Sequence, residues 1–119
     1  MQTSDFKDLR VWKMAMDITI EVYKAIKVLP SEERYALSDQ IRRCAISVPS
    51  NIAEGQARHT NKDFIHFLAI ARGSVAEIQT QIIICDRLNY IDSETCNSII
   101  NEYSQIDRML SGLMKSLSK

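Results

Sequence analysis

The chain of 119 residues has few of the residues that interrupt helices: three glycines and two prolines. A sandwich or barrel of many short strands needs frequent turns, and turns depend on such residues. No segment alternates between apolar and polar residues over a useful length, so strands are not expected. Few breaks, with 45% hydrophobic and 25% charged residues, instead favour a soluble globular domain of long helices.

An excess of charge of either sign is also missing. The 15 basic and 15 acidic residues give a formal net charge of zero, so the chain is not a generally cationic nucleic-acid binder, although a local basic patch remains open. No apolar run approaches the roughly 20 residues that cross a bilayer. The N-terminal sequence MQTSDFKDLR has no signal-peptide core. We therefore expect a cytoplasmic protein with no membrane partner.

The residues of metal and catalytic sites are scarce. The cysteines are odd in number and include no close pair: Cys44, Cys85 and Cys96. They indicate reduced cytosolic thiols. Asp63-x-x-His66 is a single near match to the Glu-x-x-His motif of helix-bundle metal sites, and nothing completes it. No glycine-rich loop could hold a phosphate. A nucleophilic Ser or Cys needs a base beside it, whereas Cys44 and Cys85 fall in apolar stripes typical of core residues. We expect no metal, no cofactor, no catalytic residue and no enzymatic activity.

Four apolar patterns of helical period are present. They predict helices at about 9–29, 31–54, 62–88 and 93–117. Pro30-Ser31 marks the first break, Gly55 suits the position after a helix end, and Asn89 supplies a turn. Long helices with short connections form bundles. The prediction is one all-α domain, residues 1–119, folded as an antiparallel up-down-up-down four-helix bundle.

Pro49 lies inside the predicted second helix. Proline removes one backbone hydrogen bond and clashes with the preceding turn, at a cost of about 3 kcal/mol in a straight helix. We expect the second helix to bend near Pro49, or to restart there. A bend leaves the Ala45 carbonyl without its usual donor, and Ser50, Asn51 or water could supply one.

A polar row runs along the same helix beside its apolar face. The row consists of Gln40, Arg43, Ser47, Asn51 and Glu54. Steps of three and four residues put these side chains on one face. In an antiparallel hairpin, the third helix opposes them with Gly73, Ser74 and Glu77. We call these eight residues the polar seam, and expect it to set helix register and assembly, with a partly buried Arg43–Glu77 ion pair.

Two residues of the polar seam, Gly73 and Glu54, are unfavourable at their positions in a helix. Gly73 costs about 1 kcal/mol relative to alanine inside a helix. Either another backbone approaches it closely, or it is an incidental surface glycine. Glu54 ends a helix, where the dipole disfavours an acid. Arg58 or a second subunit could provide a cation for it, and the alternative is chance placement on a solvated turn.

The sequence resembles a known family along nearly its whole length. The matching residues include Phe6, Leu9, Trp12, Gln40, Arg43, Ser47, the NIAEG segment 51–55, Phe64, Phe67, Gly73, Ser74 and Glu77. The family is that of four-helix-bundle proteins encoded in intervening sequences of bacterial 23S ribosomal RNA genes. The resemblance implies a bundle that assembles as a homopentamer. The similar accessory variability proteins of diversity-generating retroelements bind nucleic acid and a reverse transcriptase.

Charge is uneven along the predicted bundle. One end holds both termini and the turn between helices two and three. Its basic residues are Lys7, Arg10, Lys13, Arg58, Lys62, Lys115 and Lys119, against the acids Asp5, Asp8, Glu54 and Asp63. We call it the basic end. A ring of like-oriented subunits would make it an anion-attracting face, whereas the plain alternative is ordinary solvated charge.

Two hypotheses follow. The first is a non-catalytic oligomer that binds RNA or DNA at the basic end through Lys7, Arg10, Lys13, Arg58 and Lys62. The second is a structural or protein-interaction scaffold with no nucleic-acid role. The first rests mainly on family analogy, since fold alone does not define function.

Overall fold

Four long helices make up the computed structural model, which describes residues 5–119. They are α1 (Arg10–Ala25), α2 (Leu37–Ala57), α3 (Asn61–Arg87) and α4 (Ser93–Leu117). Short 3₁₀ turns cover Phe6–Asp8, Ile26–Val28 and Ser31–Glu33. No strand occurs between residues 5 and 119, so the all-α prediction with four helices is confirmed. The second helix begins at Leu37 instead of Ser31, because residues 31–36 form a 3₁₀ turn and an irregular connection.

Side-chain caps begin the last two helices. The Thr60 hydroxyl accepts a hydrogen bond from the Asp63 N–H at 3.2 Å, and the Asp92 carboxylate accepts one from the Thr95 N–H at 3.0 Å. Such caps satisfy N–H groups that have no partner inside a helix. His59 (φ 64°) and Asn89 (φ 61°) take the left-handed conformation that reverses the chain before each cap.

The core lies between the helices. The helix α1 packs against α2 and α4, and α3 packs against the same two. Each helix contributes one apolar face, and the largest fully buried side chains include Tyr103, Ile18, Ile41, Ile52, Leu68, Ile78, Ile82, Ile106 and Leu110. The molecule is elongated, about 48 × 23 × 20 Å. Its two ends are therefore well separated.

Gly55 does not end a helix, contrary to the sequence prediction. The helix α2 continues through it to Ala57, and no glycine among the described residues has positive φ. A Cβ atom at Gly55 would lie 2.9 Å from both Phe64 Cδ1 and Phe67 Cβ. The glycine is therefore needed for the close approach of α2 and α3 next to their connecting turn.

Pro49 lies in an unbroken helical segment of α2. Its missing N–H leaves the Ala45 carbonyl without the usual helical donor. The Thr19 hydroxyl of α1 lies 2.7 Å from the Ala15 carbonyl and 3.2 Å from the Ala45 carbonyl, and it donates a hydrogen bond toward both. Thr19 and Ala45 are buried. The donor for Ala45 thus comes from α1, instead of the Ser50, Asn51 or water that the sequence suggested.

Candidate functional site

Three segments meet at the basic end. The 3₁₀ turn Phe6–Asp8 packs against α2, and Lys7 and His59 line the same surface cavity. The Asn61 side chain donates a hydrogen bond to the Leu117 carbonyl at 3.3 Å. The start of the described chain, the α2–α3 turn and the end of α4 therefore lie side by side.

The candidate cations of this end differ in their partners. Lys7 Nζ lies 3.7 Å from Asp5 Oδ2. Arg10, Lys13 and Lys62 are exposed and form no ion pair with another described residue. These three charges are accessible to an anionic partner without breaking an existing contact.

Glu54 pairs with Arg58. Both Nε and Nη2 of the guanidinium reach Glu54 Oε2, at 3.1 and 2.9 Å. The guanidinium carbon also lies 5.0 Å from the centroid of the Phe67 ring. Arg58 thus provides the cation expected for Glu54, and each side chain stays half exposed. An exposed pair of this kind contributes about 0–1 kcal/mol, so it orients Arg58 more than it stabilises the fold.

The centre of the polar seam joins α2 to α3. Ser47 Oγ and Ser74 Oγ are 2.8 Å apart. The Asn51 amide donates to the Ser47 carbonyl at 2.8 Å and to Ser47 Oγ at 2.9 Å. Ser74 is buried, so this small network satisfies polar groups inside the helix–helix contact. Ser47 therefore faces Ser74 across the α2–α3 contact.

The expected Arg43–Glu77 ion pair does not form. Arg43 Nε instead lies 3.1 Å from Asp39 Oδ2, one turn earlier on the same helix, and the Arg43 side chain is 76% exposed. The reason is rotational position: Gln40, Arg43 and Glu77 lie on the solvent side of the α2–α3 contact. An i, i+4 pair within a helix needs no partner helix.

Gly73 has open space around it within the chain. A Cβ atom there would have no neighbour within 4 Å, so no backbone of the described residues approaches closely. The glycine lies on an exposed stripe of α3 that we call the α3 outer face. It consists of Ala69, Ile70, Gly73, Ala76, Glu77, Thr80, Ile83 and Ile84. Three isoleucines of this stripe are about 40% exposed.

A second apolar surface lies between α1 and α2. Trp12, Met16, Ile46, Pro49 and Ala53 line a shallow groove there. We call it the α1–α2 groove. Met16 and Ile46 are large apolar side chains that remain exposed in the single chain. Contiguous apolar surface of this kind is typical of protein contacts.

Sequence reasoning missed the polar contacts that join the other helices. Arg72 Nε lies 2.8 Å from Asp107 Oδ1, which joins α3 to α4. Nearby, the Gln79 amide donates to the Ile100 carbonyl at 3.1 Å and to Ser104 Oγ at 3.0 Å. These residues flank the apolar stripes, and that position was the available signal. The stripes alone do not say which flanking residues face each other.

The thiols are protected from ionisation. Burial raises the pKa of the Cys85 thiol to about 11. Burial and then the nearby Glu77 charge raise the pKa of Cys44. Thiolates are the nucleophilic form, so these groups are poor nucleophiles at neutral pH. Within residues 5–119, no three His, Cys, Asp or Glu side chains cluster closely enough to hold a metal ion.

The helix α3 could cross a membrane by length and composition alone, since an 18-residue window has a mean hydropathy of 1.2. Such a composition is equally typical of a core helix. Eight residues of α3, from Phe64 to Cys85, are buried against the other helices. Packing against the other helices therefore explains part of the apolar content, and the exposed α3 outer face carries the rest.

A family model described as 23S rRNA-intervening sequence protein matches residues 7–112. The chain belongs to this family. It is also similar to a crystal structure of a protein of unknown function from the S23 ribosomal protein family of Bacteroides thetaiotaomicron. The two chains are 27% identical, the match covers 88% of this chain and 98% of that chain, and the TM-score is 0.81. No protein with a curated description matches the chain.

Proposed function

We propose that this protein is a non-catalytic, cytoplasmic oligomer that binds RNA or DNA at its basic end. The observation that carries the proposal is the meeting of the N-terminal turn, the α2–α3 turn and the end of α4. Arg10, Lys13 and Lys62 are exposed there without ion-pair partners among the described residues. Phosphate contacts by such cations supply most sequence-independent affinity for nucleic acid.

The proposal includes an antiparallel up-down-up-down arrangement with α2 bent near Pro49. The order of the contacts between helices supports the antiparallel arrangement. Cys44 contacts Gln81, whereas Ser47, later on α2, contacts Ser74, earlier on α3. Arg72–Asp107 and Gln79–Ser104 run in opposite order in the same way between α3 and α4. This topology would put both chain ends and the α2–α3 turn at the basic end.

Assembly as a homopentamer is the finer part of the proposal and comes from the family resemblance. Two surfaces support self-association: the α3 outer face and the α1–α2 groove. Both leave apolar side chains exposed in the single chain. Copies arranged around one axis would place their basic ends on one face and strengthen the potential felt by a polyanion.

The test is RNA affinity at several salt concentrations. We expect reversal of Arg10, Lys13 and Lys62 to glutamate to weaken binding and to flatten the salt dependence. The log–log slope should fall by about 0.7 for each phosphate of a single strand that the variant no longer neutralises. Reversal of Lys24, an exposed cation at the end of α1 remote from the basic end, is the matched control. Unchanged affinity in the triple variant would exclude the basic end as the interface.

A scaffold that binds another protein is the second candidate, and the α3 outer face favours it. This hypothesis predicts a stoichiometric protein partner in a pull-down that survives nuclease treatment. Substitution of Ile83 by lysine should abolish that capture, whereas the basic-end reversals should leave it intact. Sizing with and without cellular RNA, with mass and ultraviolet absorbance ratio recorded together, separates the two candidates.

A further inference from the structure

A concave site lies far from the basic end, where α1 passes into α2. We call it the connection pocket. It is a cavity of about 320 Å³, and its lining consists of Ile26, Lys27, Leu29, Pro30, Ser31, Arg34, Ser38 and Arg42. Three of these residues are cationic and none is acidic. The cations come from three separate segments, so the chain reversal itself brings them together.

Ser38 forms the polar floor of the pocket. It is 5% exposed, and its hydroxyl makes no hydrogen bond with any described residue. Ser38 is also the second residue of α2, where a backbone N–H has no carbonyl partner within the helix. Ala36, at the N-cap position of α2, provides no side-chain cap, and the Leu37 N–H donates to Glu33 Oε1 at 3.4 Å. Ser38, with a hydroxyl that has no described partner, therefore joins the cavity lining at the first turn of α2.

Two acids next to the pocket already have partners. Asp39 pairs with Arg43 at 3.1 Å and lies 3.9 Å from Arg42. Glu33 accepts a hydrogen bond from the Tyr90 hydroxyl at 2.8 Å through Oε2 and one from the Leu37 N–H at 3.4 Å through Oε1. The lining itself contributes three positive charges and no negative one.

Arg42 is held in place at the pocket. Its Nη2 donates to the Arg34 carbonyl at 3.2 Å, and its side chain is 32% exposed, against 76% for the adjacent Arg43. This contact fixes one edge of the guanidinium and leaves its other N–H donors available. A fixed planar fork is well suited to two oxygens of a phosphate.

We propose that the connection pocket binds a phosphate group, either inorganic phosphate or the terminal phosphate of a small ester such as a nucleotide. Ser38 Oγ and its N–H would donate to the phosphate oxygens at the N-terminus of the 21-residue helix α2, which favours anions. Lys27, Arg34 and Arg42 would neutralise the charge. The apolar wall of Ile26, Leu29 and Pro30 leaves room for an attached group. This site is independent of the proposed nucleic-acid interface.

The experiment follows backbone amide shifts by NMR while inorganic phosphate, adenosine 5′-monophosphate or adenosine is added to the full chain. We expect saturable shifts at Ser38 and Asp39 with both phosphates and none with adenosine. Tighter binding of the monophosphate would identify an ester as the ligand, whereas equal or weaker binding would identify free phosphate. The absence of saturable shifts with either phosphate would overturn the proposal.

Neighbouring arginines provide the matched variants. Arg42→Gln should weaken phosphate binding about tenfold, which corresponds to one charge-assisted hydrogen bond. Arg43→Gln, on the same helix and paired with the same Asp39, should stay within about threefold. Equal losses in the two variants would rule out the pocket. If Arg42→Gln fails to fold, Lys27→Gln on the exposed side of the pocket must show the loss instead. The RNA affinity of these variants should be unchanged. A failure of the phosphate proposal can therefore be distinguished from a failure of the proposed nucleic-acid binding at the basic end.

Discussion

At the scale of single residues, two side-chain polar atoms with almost no exposed surface of their own have no hydrogen-bond partner among the described residues: Tyr103 Oη and Gln81 Oε1. Tyr103 is fully buried in the core, and burial raises the pKa of its phenol far above the ordinary value. A buried hydroxyl without a partner costs roughly 1–3 kcal/mol. The ring of Tyr103 contributes to the apolar stripe of α4, whereas its hydroxyl lowers the stability of the fold.

Tyr103→Phe should therefore leave the free energy of unfolding unchanged or raise it by about 1 kcal/mol. Tyr90→Phe is the control, because Tyr90 donates to Glu33 at 2.8 Å and removal of this hydroxyl should lower stability by about 1 kcal/mol. Urea denaturation of both variants measures the difference. A loss of stability in Tyr103→Phe as large as that in Tyr90→Phe would mean that the buried hydroxyl is satisfied after all.

At the scale of elements, contacts between helices make up for local irregularities within them. Thr19 of α1 supplies a donor to the carbonyl that Pro49 leaves free in α2. Gly55 of α2 makes room for the Phe64 and Phe67 side chains of α3. In each case one helix tolerates an unfavourable residue because its neighbour has the matching one.

The Thr19–Pro49 relation predicts a coupling. Thr19→Val should destabilise the protein by about 1 kcal/mol, because the Ala45 carbonyl would have no donor. In a Pro49→Ala background the new N–H at position 49 serves that carbonyl, so the same substitution should cost about 1 kcal/mol less. A double-mutant cycle from denaturation curves measures this coupling. Additive effects would show that the Thr19 hydroxyl serves only its own helix, at Ala15.

The two helical glycines predict opposite effects of the same substitution. Gly55→Ala should cost about 1–3 kcal/mol, because the added methyl group would lie 2.9 Å from atoms of Phe64 and Phe67. Gly73→Ala should raise the stability of the single chain by up to about 1 kcal/mol, since it gains helix propensity in open space. Thermal unfolding at low concentration compares the variants. A large destabilisation at Gly73 would indicate a close approach by a second copy.

At the scale of the whole molecule, two candidate anion sites lie apart on an elongated four-helix molecule, and apolar side chains remain exposed along its sides. The ends differ in what they could bind: the basic end suits a polyanion, and the connection pocket suits a single phosphate. The sides offer the α3 outer face and the α1–α2 groove to other proteins. A stable assembly would need to bury about 1,200–2,000 Å² per interface.

If copies of the chain assemble through the α3 outer face, a single substitution there should lower the mass of the particle in solution. Ile70→Lys on the α3 outer face should lower the mass measured by light scattering, because a charge would be buried in the interface. Val28→Lys is the control, since Val28 is 65% exposed and lies outside both apolar surfaces. Circular dichroism should show unchanged helix content in both. An Ile70→Lys variant of unchanged mass would move the interface to the α1–α2 groove or argue against assembly.

The amino-acid sequence by itself determined the helical class and the core faces, because a helix puts apolar residues of 3.6-residue period on one face that can be buried. It also indicated Arg58 as the partner of Glu54, since that contact is local. Three features depended on how the helices are rotated against one another: the Arg43–Asp39 pair, the role of Gly55 and the donor to Ala45. Periodicity defines a face to within about one residue, whereas a hydrogen bond needs atoms placed within a few tenths of an ångström. For the same reason the connection pocket, built from three segments, emerged only from the tertiary structure.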